Sequence, residues 1–232
     1  MARYTIAYSS LVMRLEEVEV LRRSAAQKEK ADPFGSRHEI NALCRGSLVL
    51  LCAHLEAFVK ELGEVVLEGL HSKLIPRTNL SPRIYYYISK DILDELRDTN
   101  DPDKIASKIF GFLQSDKLYW SRNGPFPQPI TAERFNKGFS NPAYRKICSY
   151  FGRFGYAQYR HDLGRYLGAK YMPIITMVDH LVDTRNKISH GDPTTKKTPS
   201  EVGDMMALIR AYCLATDDVF ASWCGTSICK IR

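Results

Sequence analysis

The hydrophobic pattern of the chain is helical almost from end to end. Residues 10–30 carry Leu11, Leu15, Val18 and Leu21 at helical spacing and end on Lys-Glu-Lys, which predicts an amphipathic helix with a solvated end. Asp32-Pro33-Phe34-Gly35 reads as a turn. Ser36 and Glu39 then stand in the capping-box pattern and open the longest helix, predicted to run to about His71. Its stripe is Leu48, Leu51, Cys52, Leu55, Val59, Leu62 and Val66, with Glu56 at the border. Ser81-Pro82, Asp101-Pro102 and Asn141-Pro142 each read as an N-cap followed by proline at the first helical position, so three shorter helices are expected to start there. Residues 120–129 (WSRNGPFPQP) are too rich in proline for regular structure and are expected as an exposed loop. Thr198-Pro199-Ser200-Glu201 predicts the cap of a final helix with Val202, Met205, Met206, Ile209, Cys213 and Phe220 on its apolar face. No stretch reads as a strand. The expected fold is an all-α antiparallel bundle of the N-terminal helices, the 173–189 helix and the C-terminal helix.

The pattern breaks informatively in residues 173–192, PIITMVDHLVDTRNKISHGD. At about 100° per residue, Ile174, Met177, Val178, Leu181, Val182 and Ile188 share one side of a helix, and Arg185 falls near the middle of that side. A guanidinium is rarely buried unpaired, so the position calls for a carboxylate, a carbonyl or a phosphate. His190 follows five residues later. On an unbroken helix the two side chains would point roughly 140° apart, so they cooperate only if the helix ends near Ser189 or a second chain completes the site. Gly191 suits the position after a helix end and Pro193 blocks continuation, so the end is expected there. Asn186 and His190 are four apart and share a face, which sets a polar orienting group beside the imidazole. Taken singly, such an arginine also describes an internally paired residue and such a histidine a C-terminal cap.

Composition adds little to the fold and something to the partner. A content of 44% hydrophobic and 25% charged residues is that of an ordinary globular protein, and 232 residues can bury a full core. The longest apolar run, residues 48–53, is far short of a membrane span, and the first twenty residues hold acids where a secretory core needs apolar ones, so no membrane association and a cytoplasmic location are expected. Cys44, Cys52, Cys148, Cys213, Cys224 and Cys229 include no C-x-x-C pair and no histidine cluster accompanies them, so free thiols and no metal site are expected. The net charge of +7 favours an anionic partner. In residues 144–171, Arg145, Lys146, Arg153, Arg160, Arg165 and Lys170 face one acid, Asp162, and alternate with eight Tyr or Phe. Cations for phosphates and ring faces for bases are what a single-stranded nucleic acid needs, although rings at helical spacing equally describe a core behind a basic wet face.

The hexapeptide RNKISH, from Arg185 to His190, is similar to the R-x4-H signature of the HEPN superfamily. Residues 45–62, RGSLVLLCAHLEAFVKEL, resemble the early core helix of prokaryotic HEPN toxin and defence families, with their acidic residue at Glu56. The resemblance implies a single HEPN-like helical domain over residues 1–232, here with an insertion at about 72–170 packed on one end, and a homodimer in which two Arg-His motifs face each other. It further implies an endoribonuclease of toxin or defence type, with RNA as substrate and a neutralising antitoxin protein as partner. With no cofactor motif in the chain, such an enzyme works with an acid/base and a cation, and RNA brings its own nucleophile in the 2′-OH. The products would be a 2′,3′-cyclic phosphate and a 5′-OH. On this reading His190 is the general base or acid, Arg185 the phosphate clamp, Asn186 an orienting group and Glu56 the buried partner of Arg185. Arg145, Lys146, Arg153, Arg160 and Arg165 would bind RNA. A non-catalytic HEPN-like module that binds nucleotide, RNA or protein stays open beside it.

Overall fold

Two long helices joined by a turn of a few residues hide their apolar stripes most directly against each other, and the chain begins that way. A computed structural model of the protein describes residues 3–121 and 123–232. In it α1 (Ile6–Ala31) and α2 (Arg37–Ser72) form an antiparallel pair. Shorter helices follow: α3 (Pro82–Ile88), α4 (Lys90–Arg97), α5 (Pro102–Ser115), α6 (Lys117–Trp120), α7 (Ala132–Asn136), α8 (Tyr144–Arg153) and α9 (Tyr159–Leu167). The long α10 (Tyr171–Ser189) and α11 (Pro199–Ser227) close the bundle against α2, and α11 also packs on α1. Among the described residues there is no strand, and the fold is the expected all-α one.

Sequence-level signals set most of the boundaries. The Thr5 hydroxyl accepts the Tyr8 N–H at 3.2 Å and starts α1. Ser81 caps α3 through the Arg83 N–H, and Asp101 caps α5 through the N–H groups of Asp103 and Lys104. Thr198 and Glu201 form the complete reciprocal box at the head of α11. Two expectations fail. Ser36 makes no side-chain cap bond; Glu39 pairs with Lys28 across the turn, while Asp32 holds the turn by accepting the Gly35 N–H at 2.8 Å. Asn141 does not begin a helix either, because α8 starts at Tyr144, whose N–H is accepted by Asp179 of α10 at 2.8 Å.

The helix α2, at about 54 Å by the usual rise, is the axis of the core. It is long and apolar enough to cross a membrane by length and composition, but half of that window is buried by its neighbours, as in the core helix of a globular bundle. Leu48, Leu51, Leu55, Phe58 and Leu62 of α2 are wholly buried, as are Val178 and Leu181 of α10 and Ile209, Tyr212 and Phe220 of α11. The segment 144–170 returns into this core. The Phe151 ring lies 4.6 Å from those of Tyr159 and Phe220, and the Tyr159 hydroxyl bonds those of Tyr212 and Thr216 at 2.8 and 2.9 Å.

The 120–129 loop is not simply exposed. The buried Arg77 guanidinium donates to the carbonyls of Leu118 at 2.6 Å and Gly124 at 3.1 Å, and Phe126 is buried beside it. An arginine with several carbonyl acceptors can be buried without an acid, and here it gathers the loop around itself. Within that stretch Arg122 lies outside the described residues.

The close approach of α8 to α2 depends on a missing side chain. Tyr150 crosses α2 at Gly63, where a Cβ would stand 2.0 Å from the tyrosine hydroxyl. That hydroxyl is fixed by Asn136 Oδ1 at 2.5 Å. Gly63→Ala should therefore lower stability by about 1–3 kcal/mol through overpacking, despite the better helix former. Gly111, in exposed α5 with nothing within 4 Å, is the control: Gly111→Ala should raise the melting temperature slightly. Thermal melts of both variants decide the point, and equal shifts would contradict it.

Candidate active site

The helix α10 brings Arg185 to a seam and His190 to an end. Ile174, Val178, Leu181 and Val182 are buried against the bundle, while Met177, Ile188 and Arg185 are half-buried. The side of the helix that carries His180, Asp183 and Lys187 is exposed. Arg185 Nη2 donates to Asn141 Oδ1, and Cys52 of α2 lies beside the guanidinium. Burial pushes the Cys52 thiol up, with the neighbouring guanidinium only partly opposing the shift.

Glu56 reaches Arg185 at one remove. Its Oε2 accepts the backbone N–H of Asn141 at 3.1 Å and its Oε1 accepts Lys60 Nζ at 2.7 Å. Among the described residues no ion pair joins Glu56 to Arg185, so the direct pairing expected from the sequence is replaced by a bridge through Asn141. The reason is local: one carboxylate oxygen is taken by a lysine one turn along α2, the other by the 141 backbone. Asn141 itself has φ +59°, a left-handed conformation that asparagine tolerates better than other side-chain-bearing residues. Its place next to Pro142 suggested a helix start; the same residue types equally mark a left-handed turn.

The end of α10 is built to a standard plan. His190 is the C-cap, Gly191 has φ +79°, the Gly191 N–H meets the Ile188 carbonyl at 3.0 Å and the Asp192 N–H meets that of Lys187 at 3.0 Å. These are the two bonds of a Schellman motif, with glycine at its left-handed position as expected. Arg45 of α2 locks the end from outside by donating to the Asp192 carbonyl at 2.7 Å and, more weakly, to those of Thr195 and Ile188. Sequence reasoning gave Arg45 no role, since nothing in its neighbourhood marks a partner nearly 150 residues away.

His190 is exposed, and its imidazole makes no hydrogen bond among the described residues. Asn186 gives its backbone carbonyl to the His190 N–H at 2.9 Å, while its carboxamide bonds neither His190 nor Arg185. Because α10 is regular to Ser189, the two motif residues leave it about 140° apart and about 7.5 Å along its axis. One chain thus holds a fixed cation on one side of a helix and an unengaged acid/base at its end.

A family model described as RiboL-PSP-HEPN matches residues 11–222, across the whole bundle and the 72–170 segment. The chain belongs to the RiboL-PSP-HEPN family. Neither a curated protein nor a solved structure matches it.

In this HEPN bundle the five candidate RNA-binding residues part company. Arg145, Lys146, Arg160 and Arg165 are exposed. Arg153 is only 8% exposed, donates to the carbonyls of Phe135 and Lys137, and stacks over the rings of Tyr87 and Tyr150 at 4.5 and 5.2 Å. It is a structural arginine and unavailable to a phosphate. Six of the eight rings in 144–171 are buried, so they form core instead of a platform for bases. Arg165 lies in a separate depression with Asp162 and Asp218.

Asn141 is the residue to vary first. Asn141→Ala removes the oxygen that holds Arg185 and forces a methyl side chain into a left-handed turn, at a cost of about 1–3 kcal/mol. Asn141→Gly loses the same oxygen without the strain and should be less destabilised by about 1 kcal/mol. Chemical denaturation of the two variants measures the difference; an alanine variant no less stable than the glycine one would contradict the strain argument.

Proposed function

We propose that this HEPN chain is a metal-independent endoribonuclease whose active site is completed between two copies. The observation that carries the reading is the division of α10: Arg185 is anchored through Asn141 in the seam with α2, and His190 stands exposed at a rigidly capped end on another side. A second chain brings its own pair to the first. One imidazole takes the proton of the RNA 2′-OH as that oxygen attacks phosphorus, and the other delivers a proton to the departing 5′-oxygen. The bond from the 2′-oxygen to phosphorus forms as the bond from phosphorus to the 5′-oxygen breaks, leaving a 2′,3′-cyclic phosphate and a 5′-OH. The arginines meet the charge that grows on the phosphoryl oxygens. Asn186, on the His190 face, is the group placed to steady the imidazole in the completed site. Glu56 acts through Asn141 as a positioning residue for Arg185. Arg145, Lys146 and Arg160 supply exposed charge for the RNA backbone. The setting that fits is a cytoplasmic toxin or defence effector with a neutralising antitoxin protein.

Purified protein incubated with total RNA in EDTA should cleave it and leave cyclic phosphate ends. His190→Ala should lose about 10² to 10⁴ in rate while staying folded, and Arg185→Ala should be inactive as well. Mixing the two variants should not restore the full rate, because a mixed pair holds one histidine where the reaction uses two, and light scattering should report twice the 26.5 kDa chain mass. Cleavage that disappears with EDTA and returns with Mg²⁺, or that survives His190→Ala, would rule the mechanism out. RNA binding without any cleavage would instead favour the non-catalytic module.

A further inference from the structure

A cleft of about 640 Å³ opens where α3 meets α8 and the start of α9. Three arginines from three different helices line it, Arg83, Arg145 and Arg160, and no carboxylate does. Several other arginines are neutralised by acids, Arg14 by Glu61, Arg22 and Arg23 by Glu19, and Arg232 by Asp217 and Asp218. None of the three cleft arginines makes an ion pair among the described residues. Two are held in place by weak contacts that leave their charge uncompensated. Arg83 donates to the Gly152 carbonyl at 3.3 Å, and Arg160 donates to Cys148 Sγ at 3.4 Å while lying over the Tyr144 ring at 5.7 Å. Gathering three such cations without acids costs repulsion that an anion would relieve.

The cleft also has rings and a direction. Tyr86 and Tyr87 of α3 line it half-buried and edge to face, 5.1 Å apart at 81°. The ring of Tyr87 has Arg153 over one face. Arg145 is followed along α8 by Lys146, whose Nζ donates to the Ser140 carbonyl at 3.1 Å, one residue from the asparagine that holds Arg185. A line of positive charge therefore runs from the cleft toward the motif arginine.

We propose that this cleft is an RNA-binding subsite that holds the phosphodiester backbone of single-stranded RNA at a distance from the bond that reacts, with Tyr86 beside an unpaired base. Arg83 and Arg160 are its phosphate contacts, and Arg145 continues the track toward Arg185. The proposal rests on RNA being the substrate of the Arg185 and His190 site. A strand is favoured over a free nucleotide because the charges are spread over three helices and lead out of the cleft, as a repeating anion requires.

The test separates this from the nuclease reading by measuring binding alone. His190→Ala protein is titrated with a short labelled uridine oligonucleotide over a salt series, in the original background and with Arg83→Glu, Arg160→Glu or Arg165→Glu added. All three reversals change the net charge equally, but Arg165 sits with acids in the other depression. The reversals at 83 and 160 should each weaken binding about tenfold and each flatten the log–log salt slope by about 0.7, the value for one phosphate contact on a single strand. Arg165→Glu should do clearly less. Equal losses at all three positions would reduce the cleft to bulk charge, an unchanged slope at 83 and 160 would remove it, and absence of RNA binding would overturn it outright. Displacement of the oligonucleotide by uridine monophosphate at matching nucleotide concentration would make it a mononucleotide site and also overturn the proposal. If the cleft variants behave as expected while RNA is never cut in EDTA, RNA binding in the cleft stands, and the nuclease reading falls together with the cleft's role as a subsite of it.

Discussion

A guanidinium sunk halfway into the seam between α2 and α10 has to be met, and the molecule meets that of Arg185 with an amide. Asn141 offers its side-chain oxygen to the arginine and its backbone N–H to Glu56, so one residue ties a loop to two helices. The fold around it follows from that tie. With Asn141 held in a left-handed turn, the chain enters α8 two residues after Pro142, capped by Asp179 from α10. From there Tyr150 falls onto Gly63 and the rings of α8 and α9 run into α11. The electrostatic result matters as much. A carboxylate placed directly on Arg185 would neutralise it, whereas an amide orients the cation and leaves its charge for another anion.

The opposite treatment is given to His190. Its backbone is held by the Schellman bonds, by Gly191 and by Arg45 reaching across from α2, while its ring is left to solvent. Position is fixed and engagement is not, the combination expected of a group whose partners arrive with a substrate or a second subunit.

What the sequence disclosed follows the range of the interactions involved. Helix spans, three of the caps and the glycine at the end of α10 depend on residues within a turn or two, and the pattern carried them. The Ser36 and Glu39 pattern was just as local, yet it lost Glu39 to Lys28, because a lysine at the end of α1 is brought alongside only by the tertiary turn. Asn141 was visible as a special residue but not as the partner of Arg185, since 44 residues separate them. Alternating cations and rings could not say which group faces inward: Arg153 went in with the rings, and Arg145 and Arg160 stayed out. Arg83 gave no signal at all, because the two arginines that join it in the cleft come from elements more than 60 residues away.

The offset between Arg185 and His190 makes the proposed chemistry a matter of dose. A lone chain presents each half of the motif in a different direction, so it would be chemically silent at dilutions where copies seldom meet. Output would then climb with roughly the square of the amount of protein before levelling off as pairing saturates. A cell could carry a low level of such a chain without harm, and a modest rise in synthesis, or release from a protein that masks the α10 end, would switch it on.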